Sequence, residues 1–284
     1  MNYLRHFGLR EAPFGITPDT SYFFACRATQ EAFNTLVVAV SNGEGFIKIT
    51  GEVGTGKTLL CRKFLAMLDG TWISAYVPNP SFEPRTLYLA LAEELGILVS
   101  ASLDQHQLIK AITRALLDLA RQKKRVVLCM DESQAMSLET LEALRLLTNL
   151  ETEKRKLMQV VLFGQPELDR KLASTSIRQL LQRITFQHHM RGLEENEVGA
   201  YVSHRLAVAG FTGRPLLSAA GLRTLHCTSR GIPRLVNVLM HKAMLLAYGE
   251  GRWTLERRDL RAAASDTPAA APLGRWWHLG FGRP

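Results

Sequence analysis

Gly51-Glu52-Val53-Gly54-Thr55-Gly56-Lys57-Thr58 follows the apolar β-branched run Phe46 to Thr50 and opens a stretch of helical periodicity from about Lys57 to Leu68. It fits the pattern G-x-x-x-x-G-K-[ST] in the setting that gives the pattern meaning, with a strand before it and a helix after it. The chemistry follows from the residue types. Glycines let successive backbone N–H groups curl around the β- and γ-phosphates of a nucleotide, and the helix N-terminus adds partial positive charge. Lys57 brings a point charge to the phosphates, and the Thr58 hydroxyl is a ligand for Mg2+. Gly51, Glu52, Val53, Gly54, Thr55, Gly56 and Leu59 complete the expected nucleotide-binding stretch, and the expected cofactors are ATP and Mg2+.

A triphosphate arrives with its metal, and the metal needs a carboxylate at a neighbouring strand end. The apolar run Val126 to Met130 ends in Asp131-Glu132. Asp131 is placed to hold Mg2+, directly or through water, and Glu132 to orient and deprotonate the attacking water.

Outward from these motifs, short apolar runs alternate with helical periodicity, which predicts a parallel sheet with helices over both faces. Five strands are expected: 46–50, 72–77, 126–130, 158–163 and 184–188. Near-continuous hydrophobicity in Val126 to Met130 and Val160 to Phe163 marks strands buried on both faces, hence central ones. Helices are expected at about 57–68, 84–95, 108–120, 138–150 and 166–183, the last broken near Ser174. Pro84 and Pro166 stand where a helix would start, since a missing N–H costs nothing there. After Arg191 the strand signal stops, and helices are expected at 194–209, 218–227, 233–247 and 255–264. The fold class is α/β: a parallel five-stranded sheet sandwiched by helices in residues 1–190, then a small all-helical domain in 191–264. Residues 265–284, rich in Ala, Pro and Gly, read as a flexible tail carrying Trp276, Trp277 and Phe281.

The 284 residues suffice for one large domain or two modest ones, at roughly 100–200 residues per domain. With 46% hydrophobic and 21% charged residues, wholesale disorder, collagen and a disulfide scaffold are excluded. The net charge of +9 sits in the second half: residues 1–150 carry 15 basic and 15 acidic side chains, and residues 151–284 carry 20 and 11. Attraction to phosphate-rich or acidic partners should therefore act there, unless the excess only serves solubility. Cys26, Cys61, Cys129 and Cys227 show no C-x-x-C spacing, and Cys61 and Cys129 fall in segments that read as buried, which suits reduced packing thiols. No apolar run reaches the 18 or so residues of a spanning helix, and residues 1–10 lack the apolar stretch of a signal peptide, so a cytoplasmic location is expected. His188 and His189 are adjacent at a strand end and face opposite ways, so they cannot chelate one metal together.

The phosphate loop, the strand ending in Asp131-Glu132, Gly164-Gln165-Pro166-Glu167-Leu168, Gln182-Arg183-Ile184 and Gly231-Ile232-Pro233-Arg234 together resemble an AAA+ ATPase. Tyr3-Leu4-Arg5-His6-Phe7-Gly8-Leu9, Pro13-Phe14, Thr17-Pro18-Asp19 and Tyr22-Phe23-Phe24 are similar to the N-terminal signature of the ExeA/MshM branch, linked to type II secretion and mannose-sensitive pilus assembly. The resemblance covers about residues 2–262 and implies roles that spacing cannot show. Gln165 would sense the γ-phosphate, Arg183 would be the finger offered to a neighbouring subunit's nucleotide, and Arg234 would close the helical lid onto the phosphates. The aromatic N-terminal segment, Tyr22 in particular, would wall the adenine pocket. Plainer readings stand beside these: Gln165 as a cap of the helix at Pro166, Arg170 or Arg178 in place of Arg183, and Tyr22 as core.

The resemblance implies a homo-oligomeric ATP hydrolase that drives assembly or remodelling of a pilus or secretion complex, with an inner-membrane assembly protein as partner. Longer members of the branch carry a periplasmic peptidoglycan-binding region beyond a membrane span, and this sequence has neither, which points to the shorter pilus-associated type. The alternative class is a DNA-associated ATPase of the transposition or replication-loader type, using the basic second half. A third reading is a nucleotide-gated binding protein whose Trp-rich tail anchors at a membrane interface.

Overall fold

The apolar runs pair as the alternation predicts. The computed structural model describes residues 3–100, 103–152 and 155–271. Its strands are β1 (Phe46–Gly51), β2 (Trp72–Val77), β3 (Arg125–Met130), β4 (Glu151–Thr152), β5 (Arg155–Lys156), β6 (Gln159–Gly164) and β7 (Ile184–Met190). Five of them form one parallel sheet in the order β2-β3-β6-β1-β7. β4 and β5 pair apart from it as an antiparallel ribbon that the sequence reading did not anticipate.

β3 and β6 are interior strands, as their hydrophobicity requires, and β2 and β7 are the edges. The two-residue period of a strand splits each buried run between the two faces. Val126, Leu128, Met130, Val160 and Leu162 join one core, with Leu87, Leu91, Leu108 and Leu141 from the helices over it. Val127, Cys129, Val161 and Phe163 join the other, with Leu36, Leu60, Cys61 and Phe64. Cys61 and Cys129 are thus buried packing thiols, as expected. The helix Arg27–Ser41 was not foreseen, although Ala32, Leu36, Ala39 and Val40, all buried, carry the i, i+4, i+7, i+8 pattern of one helix face. Asp104 starts the helix Gln105–Arg121 three residues before the expected position, its carboxylate accepting from the Gln107 N–H at 2.8 Å.

Contacts divide the chain into Arg27–Met190 and a second unit that joins the residues up to Cys26 to those from Arg191 onward. The sequence reading had put the N-terminal segment with the sheet; packing puts it with the helices. Tyr3, Phe7, Leu9, Phe14 and Tyr22 are buried there, and the Arg10 N–H donates to the Ala209 carbonyl at 2.9 Å. Arg205 is the clamp. Its guanidinium is buried, donates to the carbonyls of Pro13 and Gly15, and lies over the Tyr22 ring at 4.4 Å from the centroid. The helices of this unit are Tyr3–His6, Glu195–Val208, Ala219–Ser229, Pro233–Gly249 and Arg257–Ser265. The expected flexible tail begins too early: Lys242 donates to Asp266, Thr267 to the Ala263 carbonyl, and the Ala271 N–H to the Thr228 carbonyl, so residues 266–271 are packed. Trp276, Trp277 and Phe281 lie outside the described residues.

Gly231 explains the first letter of Gly-Ile-Pro-Arg. Its φ is +68°, and an added Cβ would stand 2.1 Å from the Leu193 carbonyl oxygen, whose own N–H donates to the Gly231 carbonyl at 2.8 Å. Gly231→Ala is expected to lower unfolding stability by about 2–5 kcal/mol, a left-handed conformation and an overpacked backbone contact acting together. Denaturant unfolding measures it; a loss below ~1 kcal/mol would contradict this close approach. Among the described residues, no helix is long and apolar enough to cross a membrane.

Candidate nucleotide site

β1 is buried along its whole length and delivers Gly51 to the carboxyl edge of the sheet. Gly54 and Gly56 then take φ values of +85° and +99°, which any side chain would disfavour. Between them the loop closes on itself, the Thr55 hydroxyl donating to the Glu52 carbonyl at 2.9 Å. Gly56 caps the helix Lys57–Met67 without a side-chain bond, so the first N–H groups of that helix have no side-chain acceptor at the cap. Lys57 is 6% exposed, and its ammonium donates to the carbonyls of Gly51 at 2.7 Å and Glu52 at 3.0 Å. Burial pushes its pKa below the usual lysine value, and the nearby Glu132, Asp131 and Glu52 charges oppose that shift.

Because β6 separates β1 from β3, the acidic pair meets the loop across one intervening strand. The Thr58 hydroxyl donates to Asp131 Oδ2 at 2.6 Å, while Asp131 Oδ1 accepts the Glu132 N–H at 3.0 Å. Asp131 is 2% exposed, and burial holds its carboxyl above the usual range despite these two donors. Glu132 stands at φ +52°, a costly conformation for a non-glycine residue. The Ser133 hydroxyl, donating to the Met130 carbonyl at 2.9 Å, and Lys171, donating to the carbonyls of Gln134 and Met136, hold the turn in place. Glu132 Oε2 accepts from the side-chain amides of both Gln134 and Gln165, the latter at 3.0 Å. A buried carboxylate beside a hydroxyl is a hard-oxygen donor pair that suits Mg2+ and leaves positions for phosphate oxygens and water.

Gly51, Lys57, Thr58, Asp131, Glu132 and Gln165 are therefore brought together. Arg183 is elsewhere. It precedes Ile184, which pairs with Phe46 at the start of β1, so at ~3.3 Å per residue it lies roughly 20 Å back along the strands from the glycine loop. Its charge instead helps hold the Glu142 carboxyl below its usual range, after the Arg145 bond that dominates. Arg234 is exposed on the first turn of the helix Pro233–Gly249. Tyr22 is buried in the helical unit, its hydroxyl donating to Glu11 at 2.8 Å. Gln165 is the N-cap residue of the helix Pro166–Leu172, but its side chain makes no cap bond, going to Glu132 instead. Sequence reasoning missed Gln134, whose signal was a polar residue three positions after Asp131. It also missed Lys48, buried in β1 and paired with Asp169 of the helix that Gln165 opens.

This arrangement of sheet order, loop and acidic strand end is a P-loop, AAA-like fold. Residues 40–172, just under half of the chain, match the family model described as the AAA domain. Over 274 residues it is 39% identical to General secretion pathway protein A of Aeromonas hydrophila, covering 96% of this chain and 50% of that protein. It is thus a relative of that protein and spans about half of its length, as the resemblance read from the sequence anticipated. Among solved structures, CDC6P from Pyrobaculum aerophilum superposes with a TM-score of 0.68 at 16% identity, over 89% of this chain and 70% of that one. The ORC2 protein of Aeropyrum pernix gives 0.63 at 17% identity, over 86% and 67%. Identities this low speak for the fold alone.

Proposed function

We propose that the protein hydrolyses the β–γ phosphoanhydride of ATP and uses the cycle to assemble or remodel a type IV pilus or type II secretion complex. The observation that carries the chemistry is the convergence of Lys57, Thr58 and Asp131 on one loop, with Glu132 beside them. Thr58 and Asp131 would hold Mg2+, which when bound neutralises charge on the phosphate oxygens. The loop N–H groups and Lys57 bind and orient the phosphates. Glu132 takes the proton of the attacking water on its carboxylate, and Gln165 reports on the γ-phosphate from beside it. Arg183, far along the strands from its own chain's loop, is suited to a neighbouring subunit's nucleotide. The likeness to General secretion pathway protein A supports the biological direction.

Specific activity measured across protein concentration tests this reading. It should rise with concentration as subunits assemble and fall at least tenfold in Arg183→Ala at saturating protein. Constant specific activity in a monodisperse monomer would rule out a shared site, and no hydrolysis at any concentration would end the assignment. The charge excess after residue 150 favours a second reading, a DNA-associated ATPase. Filter binding at two salt concentrations decides it, because phosphate neutralisation weakens steeply with salt.

A further inference from the structure

We propose that Gln134 is a positioning residue that holds the Glu132 carboxylate for catalysis; this rests on the hydrolytic reading of the site. The orientation of the Gln134 amide is fixed by its surroundings. The backbone N–H of Gln165 points at its oxygen at 3.0 Å, so Oε1 must be the acceptor there and Nε2 must face Glu132. Gln134 thereby bridges the acidic turn after β3 to the end of β6, the two strand ends that flank the site.

Glu132 needs such a support. Its backbone is left-handed, and a half-buried carboxylate on a turn would otherwise sample several rotamers. Two amide donors, from Gln134 and Gln165, converge on Oε2, and among the described residues Oε1 has no protein donor. The carboxylate is thus pinned by one oxygen and offers the other to a water. Lys171 supports the support: its ammonium donates to the Gln134 carbonyl at 2.6 Å and the Met136 carbonyl at 2.5 Å, tying the turn to the helix Pro166–Leu172. Lys48, through Asp169, ties that same helix to β1. A chain of contacts therefore runs from the strand that carries the glycine loop to the base that faces its phosphates.

Gln134→Glu isolates the role. It keeps an acceptor for the Gln165 N–H, removes only the donor to Glu132, and sets a like charge against it. Gln134→Leu removes the donor without adding charge. In both, the expected result is a kcat lower by about ten- to a hundredfold with the nucleotide dissociation constant within about twofold of the parent. Thermal melting of each variant reports whether it is folded. Parent-like kcat in folded variants overturns the proposal, as does a loss that falls on nucleotide binding. A parent protein without hydrolysis overturns the functional reading and the proposal with it.

Discussion

A Glu132→Gln protein is expected to bind ATP as tightly as the parent, or more tightly, and to turn it over at least about a hundredfold more slowly. The substitution is close to isosteric, and the new amide oxygen can still accept from Gln134 and Gln165, so the turn keeps its two donors. What disappears is the capacity to take a proton from water. The lost charge also matters for binding: Glu132 is the foremost carboxylate acting on Lys57, and an anion removed from beside a triphosphate relieves repulsion. Separate measurement of kcat and of equilibrium binding distinguishes the two consequences. Full turnover in this variant would remove Glu132 from the mechanism.

The parts of this site that were legible in the sequence are those encoded by local rules. The glycine pattern between an apolar strand and a helix names its own conformation, because Gly54 and Gly56 occupy φ values that few other residues tolerate. The runs in β3 and β6 announced interior strands, since only a strand covered on both faces can dispense with alternation. What the sequence concealed was partnership over distance. Gln134 and Gln165 are 31 residues apart and Lys48 and Asp169 are 121 apart, and no periodicity links either pair. The N-terminal segment failed for a related reason. Its aromatic residues declared that they would be buried, but not against which unit, and the Arg205 contacts that decide the matter come some 190 residues later. The helix Arg27–Ser41 is a different kind of miss, since its apolar face was present in the order of residues and only the absence of a proline or capping signal hid its start.

The restraint on Glu132 and the strain in its backbone belong together. A left-handed glutamate persists only where its surroundings over-determine it, and here four side chains do so: Ser133 and Lys171 through backbone carbonyls, Gln134 and Gln165 through the carboxylate. Loosening either carboxylate contact should cost the geometry of the base before it costs the fold, because Met130 and Met136, which bracket the turn, stay anchored in the core on one face of the sheet.

Lys57→Ala is expected to weaken nucleotide binding strongly and not turnover alone. The ammonium sits among loop carbonyls at the mouth of the helix Lys57–Met67, where a phosphate held by the loop would meet it. Loss of a charge-assisted contact of that kind removes about 2–3 kcal/mol, or a factor of roughly 30 to 150 in affinity. The nucleotide-free protein should lose less, about 1–3 kcal/mol, because the carbonyls of Gly51 and Glu52 are left without their donor while a desolvated charge is also removed. Thermal melting with and without Mg2+ and ATP reads both quantities at once. The parent should gain a ligand-dependent rise in Tm, Glu132→Gln should keep it, and Lys57→Ala should show a much smaller one at the same ligand concentration. The same lysine sets an alkaline limit. Its pKa in the free protein is depressed by burial, so the binding-competent ammonium is present below that depressed value and is lost as pH rises through it, earlier than for a free lysine. Apparent affinity for the nucleotide should therefore weaken on the alkaline side before the ordinary lysine range is reached, and a parent-like melting shift in Lys57→Ala would show that the loop holds its ligand without this cation.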